Sequence, residues 1–346
     1  MCAQRATTFP TKLTEAQMPS RQLKLGPQSY WAIALRSLRQ DRLTLTAIGI
    51  VTLLALLALL APVITTVLVG VGPNTTNTSH AFAQPYLWPY IKWQLGIDTQ
   101  SAAIMLGQTD GIPHWLGADR LGRDQLARLL YGGRVSLGIA LAAAAIGMVF
   151  GVAVGGVAGY FGGTIDDIVM WFINTVVAIP TIYLLIIVCA IFKPSPATLI
   201  LFLGFFGWFG TARFMRGNVL KVKQFDYTLS ARAIGATNWR ILTQHIIPNS
   251  IPVIVVITFI DVGVLILVES VLSFLGLGVQ PPTPTWGNML NRARDFFFTV
   301  DPATGKHIAL HLMYPPGLLI WLSVLCFYLI GDGLRDALDP MLKQRK

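Results

Sequence analysis

The sequence predicts an all-α membrane protein with six transmembrane helices, and three observations support this fold class. Hydrophobic residues make up 54% of the 346 residues and charged residues only 12%, whereas a soluble domain carries about 25% charged residues. Six separate runs are apolar over the roughly 17–25 residues that a helix needs to cross a bilayer. The runs do not alternate with period two, so helices rather than barrel strands are indicated.

The predicted spans follow one another along the chain and define its organisation. The first is long enough to tilt in the bilayer, and the fourth is short. The spans are residues 43–71, 135–160, 168–192, 196–212, 251–275 and 313–330. The predicted segments are a cytoplasmic tail with an amphipathic elbow over 1–42, a transmembrane anchor over 43–72, a periplasmic region over 73–130 and a five-helix core over 131–346.

The distribution of Lys and Arg predicts the orientation of these spans. Basic residues gather before the first span, between the fourth and fifth spans and after the sixth, and these regions share one side if there are six spans. Because basic loops favour the cytoplasm, both termini are placed there. The net charge of +10 then reflects this asymmetry and attraction to anionic membrane lipid, so nucleic acid is not a predicted partner.

Small residues and a proline predict how two of the spans pack. Gly147, Gly151, Gly155 and Gly159 recur at every fourth position, which makes a flat ridge that another helix can approach closely. Together with the long external segments, this ridge implies a surface buried by a partner. Pro180 is expected to kink the third span, since its ring is incompatible with a regular helix interior.

Four polar residues within the spans are candidates for lining a transport pathway. Intramembrane carboxylates are costly and by default suggest function, which draws attention to Asp261 and Glu269 in the fifth span. Glu269 lies near the external end of that span and is expected to face a vestibule, whereas Asp261 lies deeper without an evident partner. Asn174 and Thr175 stand one turn before Pro180, where interhelical hydrogen bonding is an equally good interpretation.

A polar, helix-prone island over about 226–248 separates the fourth and fifth spans. Asp226 is expected to cap a first short helix, and Gly235 suits the left-handed residue that ends it. A second short helix follows, capped by Thr237 or Asn238. Small residues at the bend would let another protein's surface approach closely. The positions assigned to this island are Asp226, Ala231, Gly235, Ala236, Thr237 and Pro248.

The island resembles the cytoplasmic coupling loop of permease subunits in binding-protein-dependent ABC importers. The pattern of that family is Glu-Ala-Ala, three residues, Gly, nine residues and an apolar-rich turn ending in Pro. Ala231, Gly235 and Pro248 fall on this pattern. Leu229 and Ser230 replace the usual Glu and first Ala, which puts one polar contact to the ATPase in question but leaves the loop geometry intact.

Three further stretches, in the same order, are similar to the second permease subunit of peptide- and nickel-type importers: residues 114–137, 269–278 and 331–340. The resemblance covers about 37–340 and implies the ABC importer permease fold in a bacterial inner membrane. It also implies a second homologous permease subunit, two ATPase subunits that bind ATP-Mg, and a binding protein that delivers substrate to the external regions 70–133 and 280–311. Peptides are the expected substrate, with nickel or another small solute as the alternative.

The sequence carries no motif for chemistry within this chain. A Gly-x-x-x-x-Gly-Lys-Ser/Thr loop is missing from it, so ATP binding and any enzymatic step are assigned to partner subunits and no cofactor is expected here. His307 and His311 lie four residues apart, but no third ligand is evident, so a metal site is not predicted. Three rival hypotheses are an ion-coupled secondary transporter using Asp261 and Glu269, an intramembrane enzyme without a recognisable nucleophile, and a sensory module.

Overall fold

The computed structural model describes residues 38–83, 85, 87, 114–300, 307 and 310–338, and within them regular structure is helical apart from two isolated bridges. Residues 1–37, which hold most of the predicted tail and elbow, lie outside this description. The principal helices are α1 (Arg42–Leu59), α2 (Gln125–Phe161), α3 (Gly163–Val177), α4 (Thr181–Ile191), α5 (Pro196–Val222), α6 (Asp226–Ala233), α7 (Asn238–Ile241), α8 (Ile247–Phe274), α9 (Trp286–Arg294) and α10 (Leu310–Leu338).

The described helices match the six predicted spans. Four single helices, α1, α2, α5 and α10, are long and apolar enough to cross a membrane, as is the continuous run Asn238–Phe274. The sixth candidate is the pair α3 and α4, which passes the same test together but is bent by 77°. The all-helical fold class is therefore confirmed, with five candidate spans among the described residues, or six if the bent pair counts as one span.

The bend between α3 and α4 is sharper than the kink predicted at Pro180. Pro180 has an extended backbone, with ψ of 120°, and stands immediately before α4. Its ring has no amide proton and disfavours helical geometry in the preceding residue, so the chain breaks instead of curving. The third span is consequently two helices that meet at an angle.

Helix α2 begins well before the span predicted at 135–160. Its first residue is Gln125, because the Asp124 side chain accepts a hydrogen bond from the amide of Ala127 at 2.8 Å and caps the helix. The last part of the 114–137 stretch and the second span therefore form one helix. Helix α5 likewise continues past residue 212 and ends at Val222. This extension contains Lys and Arg residues, whose long apolar stems can lie along the helix while their charged ends reach water.

The glycine ridge of α2 packs against α5 of the same chain. A Cβ atom added to Gly155 would lie 2.2 Å from the carbonyl oxygen of Ala212, and one added to Gly151 would lie 2.5 Å from the Cβ of Thr211. Contact this close requires residues without side chains. The ridge is thus filled within the chain, and the expectation that a partner buries it is wrong.

Candidate functional site

The island between the fourth and fifth spans folds as a bent helix pair, α6 and α7. Gly235 has φ of +83°, a left-handed conformation that L side chains rarely adopt. Thr237 caps α7, with its hydroxyl accepting from the amide of Arg240 at 3.4 Å. Asp226 is the first helical residue of α6 rather than its cap; the cap position is held by Phe225, which gives no side-chain bond. The Asp226 carboxylate still lies at the favourable end of the helix dipole.

Pro248 does not end the island as the sequence pattern suggested. It is the second residue of α8 and is exposed. A π-helical turn, Leu242–Ile246, joins α7 to α8, and the amide of Ile247 closes that turn on the carbonyl of Leu242. Because proline needs no intrahelical donor in a first turn, the chain passes from the island into the fifth span without interruption.

One face of the island is anchored to the ends of α2 and α5. The Tyr160 hydroxyl donates to Asn238 Oδ1 at 3.0 Å, and Lys223 Nζ donates to the carbonyl of Tyr160 at 2.6 Å. The Thr228 hydroxyl donates to the carbonyl of Val222 at 3.0 Å. Ala231 is buried in the same apolar cluster, against which Ala236 packs. These small residues contact their own bundle rather than an incoming surface.

The island also exposes large apolar side chains. Ile234 is 86% exposed and Trp239 is 59% exposed, with neighbouring apolar residues also open. We define this coupling surface as Phe225, Tyr227, Leu229, Ile234 and Trp239. Several large apolar groups exposed on one short polar segment indicate a protein contact. Leu229, which replaces the usual Glu, adds apolar area here instead of a charge.

Two of the pathway candidates lie on α3 just before the bend. Asn174 and Thr175 are both exposed on this chain. The Thr175 hydroxyl donates to the carbonyl of Trp171 at 2.8 Å, which satisfies it within its own helix. Their exposure is compatible with a surface facing another subunit or a pathway, and their predicted role stays a prediction.

Asp261 lies half-buried in α8 and borders a cavity of about 240 Å³ between α2, α4, α5 and α8. The hydroxyl-bearing residues Thr181 and Thr211 line the same space, and the remaining lining is largely apolar. Among the described residues, Asp261 has no hydrogen bond or ion pair. It is the pathway candidate whose carboxylate borders an internal space.

Glu269 is completely buried, in contrast to the expected vestibule-facing position. Its carboxylate accepts hydrogen bonds from Ser136 Oγ at 3.0 Å and Ser273 Oγ at 2.7 Å. Ser136 Oγ in turn accepts from the amide of Trp286 at 3.3 Å. The side chain therefore ties α2, α8 and the start of α9 together, because an unpaired buried carboxylate would be costly.

We predict that Glu269→Ala destabilises the protein while Glu269→Gln has a smaller effect. The alanine variant leaves two buried hydroxyls without their acceptor, at a cost of about 1–3 kcal/mol each. Glutamine keeps the size and one acceptor oxygen. The thermal unfolding midpoint of the purified protein measures both. Unchanged stability of the alanine variant combined with lost transport would contradict the tying role and favour a pathway role.

The end of the bundle opposite the island holds contacts that the sequence did not reveal. His114 Nδ1 lies 2.9 Å from Asp124 Oδ2, and His114 Nε2 lies 3.1 Å from His80 Nδ1. His114 and Asp124 both belong to the family-like stretch 114–137, whereas His80 belongs to a separate segment. His311 Nε2 lies 3.4 Å from the carbonyl of Ala118, and its ring crowds Gly117. His311 thus packs on the motif, while His307 is exposed.

The class of protein follows from this architecture and from sequence comparison. Residues 135–344 match the family described as binding-protein-dependent transport system inner membrane component. Residues 29–95 match the N-terminal TM domain of oligopeptide transport permease C. The first match covers more than half of the chain, so the chain belongs to this family of multi-pass inner membrane permeases, which are transport subunits rather than catalytic ones.

The relatives belong to the peptide-type branch of these importers. The glutathione transport system permease protein GsiD of Pectobacterium atrosepticum is 42% identical over 263 residues, covering 76% of this chain and 83% of the relative. The dipeptide transport system permease protein DppC of Bacillus subtilis is 40% identical over 231 residues, covering 67% and 70%. GsiD of Escherichia coli O157:H7 is 42% identical over 238 residues, covering 69% and 76%. The predicted resemblance to a peptide-type ABC importer permease is confirmed.

Proposed function

We propose that this chain is the second permease subunit of an ATP-driven importer that moves di- or oligopeptides across the bacterial inner membrane. The observation that carries the proposal is the coupling surface, an exposed apolar face on a helix pair that is anchored to the bundle. The relatives named for glutathione and dipeptide transport support peptides as the substrate. Nickel and other small solutes are the alternative cargo.

The anchoring contacts explain how the island would transmit motion. Two ATPase subunits would bind ATP-Mg and press on the coupling surface, while this chain itself holds no cofactor. The Tyr160–Asn238 and Lys223–Tyr160 bonds join the island to α2 and α5. The continuous run Asn238–Phe274 carries the same displacement into the fifth span. A rigid lever of this kind suits rocking between inward- and outward-facing states.

The remaining partners follow from the same arrangement. A second, homologous permease subunit would complete the pathway against the exposed faces of α3 and α4. An external binding protein would deliver substrate at the opposite end of the bundle, in the regions 70–133 and 280–311. Both termini and the coupling surface are assigned to the cytoplasm, in keeping with the basic residues around the island.

Uptake by the reconstituted complex tests this proposal. We expect proteoliposomes that contain both permease subunits, the ATPase subunits and the binding protein to accumulate a labelled dipeptide only with hydrolysable ATP. A non-hydrolysable ATP analogue is the matched control, and glutathione and Ni²⁺ serve as competing cargo. Accumulation driven by a proton or sodium gradient without ATP would contradict the proposal and favour a secondary transporter.

A further inference from the structure

A cavity of about 300 Å³ opens at the end of the bundle opposite the coupling surface. It is bordered by the loop leading into α2, by the end of α8 with the loop that follows, by α9 and by the start of α10. The coupling surface lies at the other ends of α2 and α8, since Tyr160 bonds to Asn238 there. The two features therefore face opposite sides of the membrane.

The lining of this cavity carries an excess of positive charge. It contains the four arginines Arg120, Arg123, Arg128 and Arg292 but only the two acids Asp119 and Asp295. Counter-charge is needed wherever guanidinium groups are withdrawn from water. The two acids cannot neutralise all four arginines.

Asp119 bonds mainly to Arg123, with Arg128 at a longer distance of 3.9 Å. Its carboxylate accepts from Arg123 Nε at 2.8 Å and from a second guanidinium nitrogen of the same residue, as well as from the amides of Leu121 and Arg123. Burial alone would raise the pKa of Asp119, but the hydrogen bond and charge of Arg123 outweigh burial and hold that pKa below its ordinary value. Asp119 is therefore ionised and fully engaged.

Asp295 is directed toward a different arginine. Its carboxylate lies 3.4 Å from Arg294 Nε, and Arg294 is exposed and does not line the cavity. Arg292, in contrast, has no hydrogen bond or ion pair among the described residues and is half-buried on α9. Burial, and then the charge of Arg123, lower the pKa of Arg292, as expected for a cation without a compensating anion.

The other two arginines add to the unbalanced charge. Arg128 is buried behind the cavity, where it donates to two neutral acceptors, the carbonyl of Pro73 at 3.1 Å and Asn74 Oδ1 at 3.3 Å. Its Nε also lies 3.9 Å from Asp119 Oδ2, a long ion pair to a carboxylate that already holds Arg123. Arg120 lies at the rim with its guanidinium 5.9 Å from the centre of the Phe296 ring. Arg120 and Arg292 thus have no acidic partner among the described residues, and Arg128 shares one carboxylate with Arg123.

Exposed apolar side chains lie near the cavity, at the end of the spanning helix α8. The lining includes Ser273 and Gly276, which mark the end of the spanning helix α8. Beyond the cavity, Phe298 is 84% exposed and Leu275 is 50% exposed. Exposed aromatic and aliphatic side chains at this level are typical of contact with lipid headgroups and upper acyl chains.

We propose that this cavity binds a phosphate group between Arg120, Arg128 and Arg292, and that an anionic phospholipid supplies it. Guanidinium forks suit the oxygens of a phosphate, which can accept paired hydrogen bonds. The acyl chains would extend past Leu275 and the exposed phenylalanine. Lipid bound here would hold α9 against the start of α2 at the external end of the bundle.

Lipid titration of the purified full chain with its associated subunits tests the site. Native mass spectrometry with short-chain phosphatidylglycerol gives the stoichiometry and apparent Kd. We expect Arg292→Gln to raise that Kd at least about tenfold, the loss of roughly one charge-assisted interaction. Arg294→Gln, on the same helix but outside the cavity, is the matched control and should change it less than about twofold.

A second arm distinguishes lipid from soluble phosphate. Inorganic phosphate that binds alone, displaces the lipid and is equally sensitive to Arg292→Gln would support the phosphate site but assign it to a soluble source. Equal losses in the two arginine variants would overturn the site in favour of general surface charge. Undetectable binding of both probes would also overturn it.

Three further checks separate loss of the lipid site from misfolding and from loss of a protein contact. The unfolding midpoint of Arg292→Gln should match that of the unaltered protein in lipid-free detergent. If that variant does not fold, Arg120→Gln at the exposed rim replaces it, with the same expected loss of lipid. Weakened association with the purified external binding protein, with lipid binding unchanged, would overturn the proposal and identify the arginines as a protein contact.

Discussion

Gly235→Val is expected to leave the chain inserted in the membrane but to weaken its association with the ATPase subunits by about tenfold or more. Gly235 has φ of +83°, and no neighbouring atom lies within 4 Å of a Cβ added there. The effect therefore comes from the backbone, since a β-branched residue resists the left-handed conformation. Strain of about 1–3 kcal/mol would shift the bend between α6 and α7 and tilt the coupling surface.

Co-purification of the ATPase subunits, measured beside uptake, checks this result. Gly235→Asn is the matched control, because asparagine tolerates the left-handed region and should retain most of the association. Ile234→Asp offers an independent change, placing a charge on the most exposed apolar residue of the island without altering the backbone. Full co-purification and normal uptake of both Gly235→Val and Ile234→Asp would show that the island is an ordinary loop.

The sequence was sufficient to predict the spans because their signal is local. A run of apolar residues long enough to cross a bilayer identifies itself without knowledge of its neighbours. The helix pair of the island was also predicted from the sequence, because its signals are local. Gly235 ends the first helix in a left-handed conformation, and Thr237 caps the second by accepting from a backbone amide three residues ahead. The partner subunits were predicted from the family resemblance alone, because the composition of the spans carries no information about partners.

Features that depend on contacts between distant segments could not be predicted from the sequence. Glu269 was expected to face a vestibule, but its partner Ser136 belongs to another helix, and only packing shows that the carboxylate is enclosed. The same holds for His80, which reaches His114 across a long connection. Pro180 was predicted to kink the third span, but the structure has two helices bent by 77°, an angle that the local sequence does not specify.

The glycine ridge shows the same distinction. Its spacing predicts close helix contact, but spacing alone does not say which helix approaches. The structure gives α5 of the same chain, with Gly155 against Ala212 and Gly151 against Thr211. We therefore expect a second subunit to contact the exposed faces of α3 and α4 instead of the glycine ridge of α2.

Gly155→Val is expected to prevent the correct packing of α2 on α5 and to remove most of the folded protein. The first atom of the new side chain would lie 2.2 Å from the carbonyl oxygen of Ala212, and that backbone oxygen cannot rotate away as a side chain would. Overpacking a tight contact costs about 1–3 kcal/mol, and more when a backbone must move. Two of the longest helices would have to separate along their shared face.

Gly138→Val is the matched control for this change. Gly138 lies on the same helix, is exposed, and would place its Cβ where no neighbouring atom is within 4 Å. Both substitutions therefore carry the same change in helix propensity, and only Gly155→Val meets α5. Size-exclusion chromatography of the detergent-solubilised protein, with its unfolding midpoint, should show a monodisperse Gly138→Val and an aggregated or strongly destabilised Gly155→Val. Equal behaviour of the two variants would mean that α2 and α5 do not approach as closely as the structure shows.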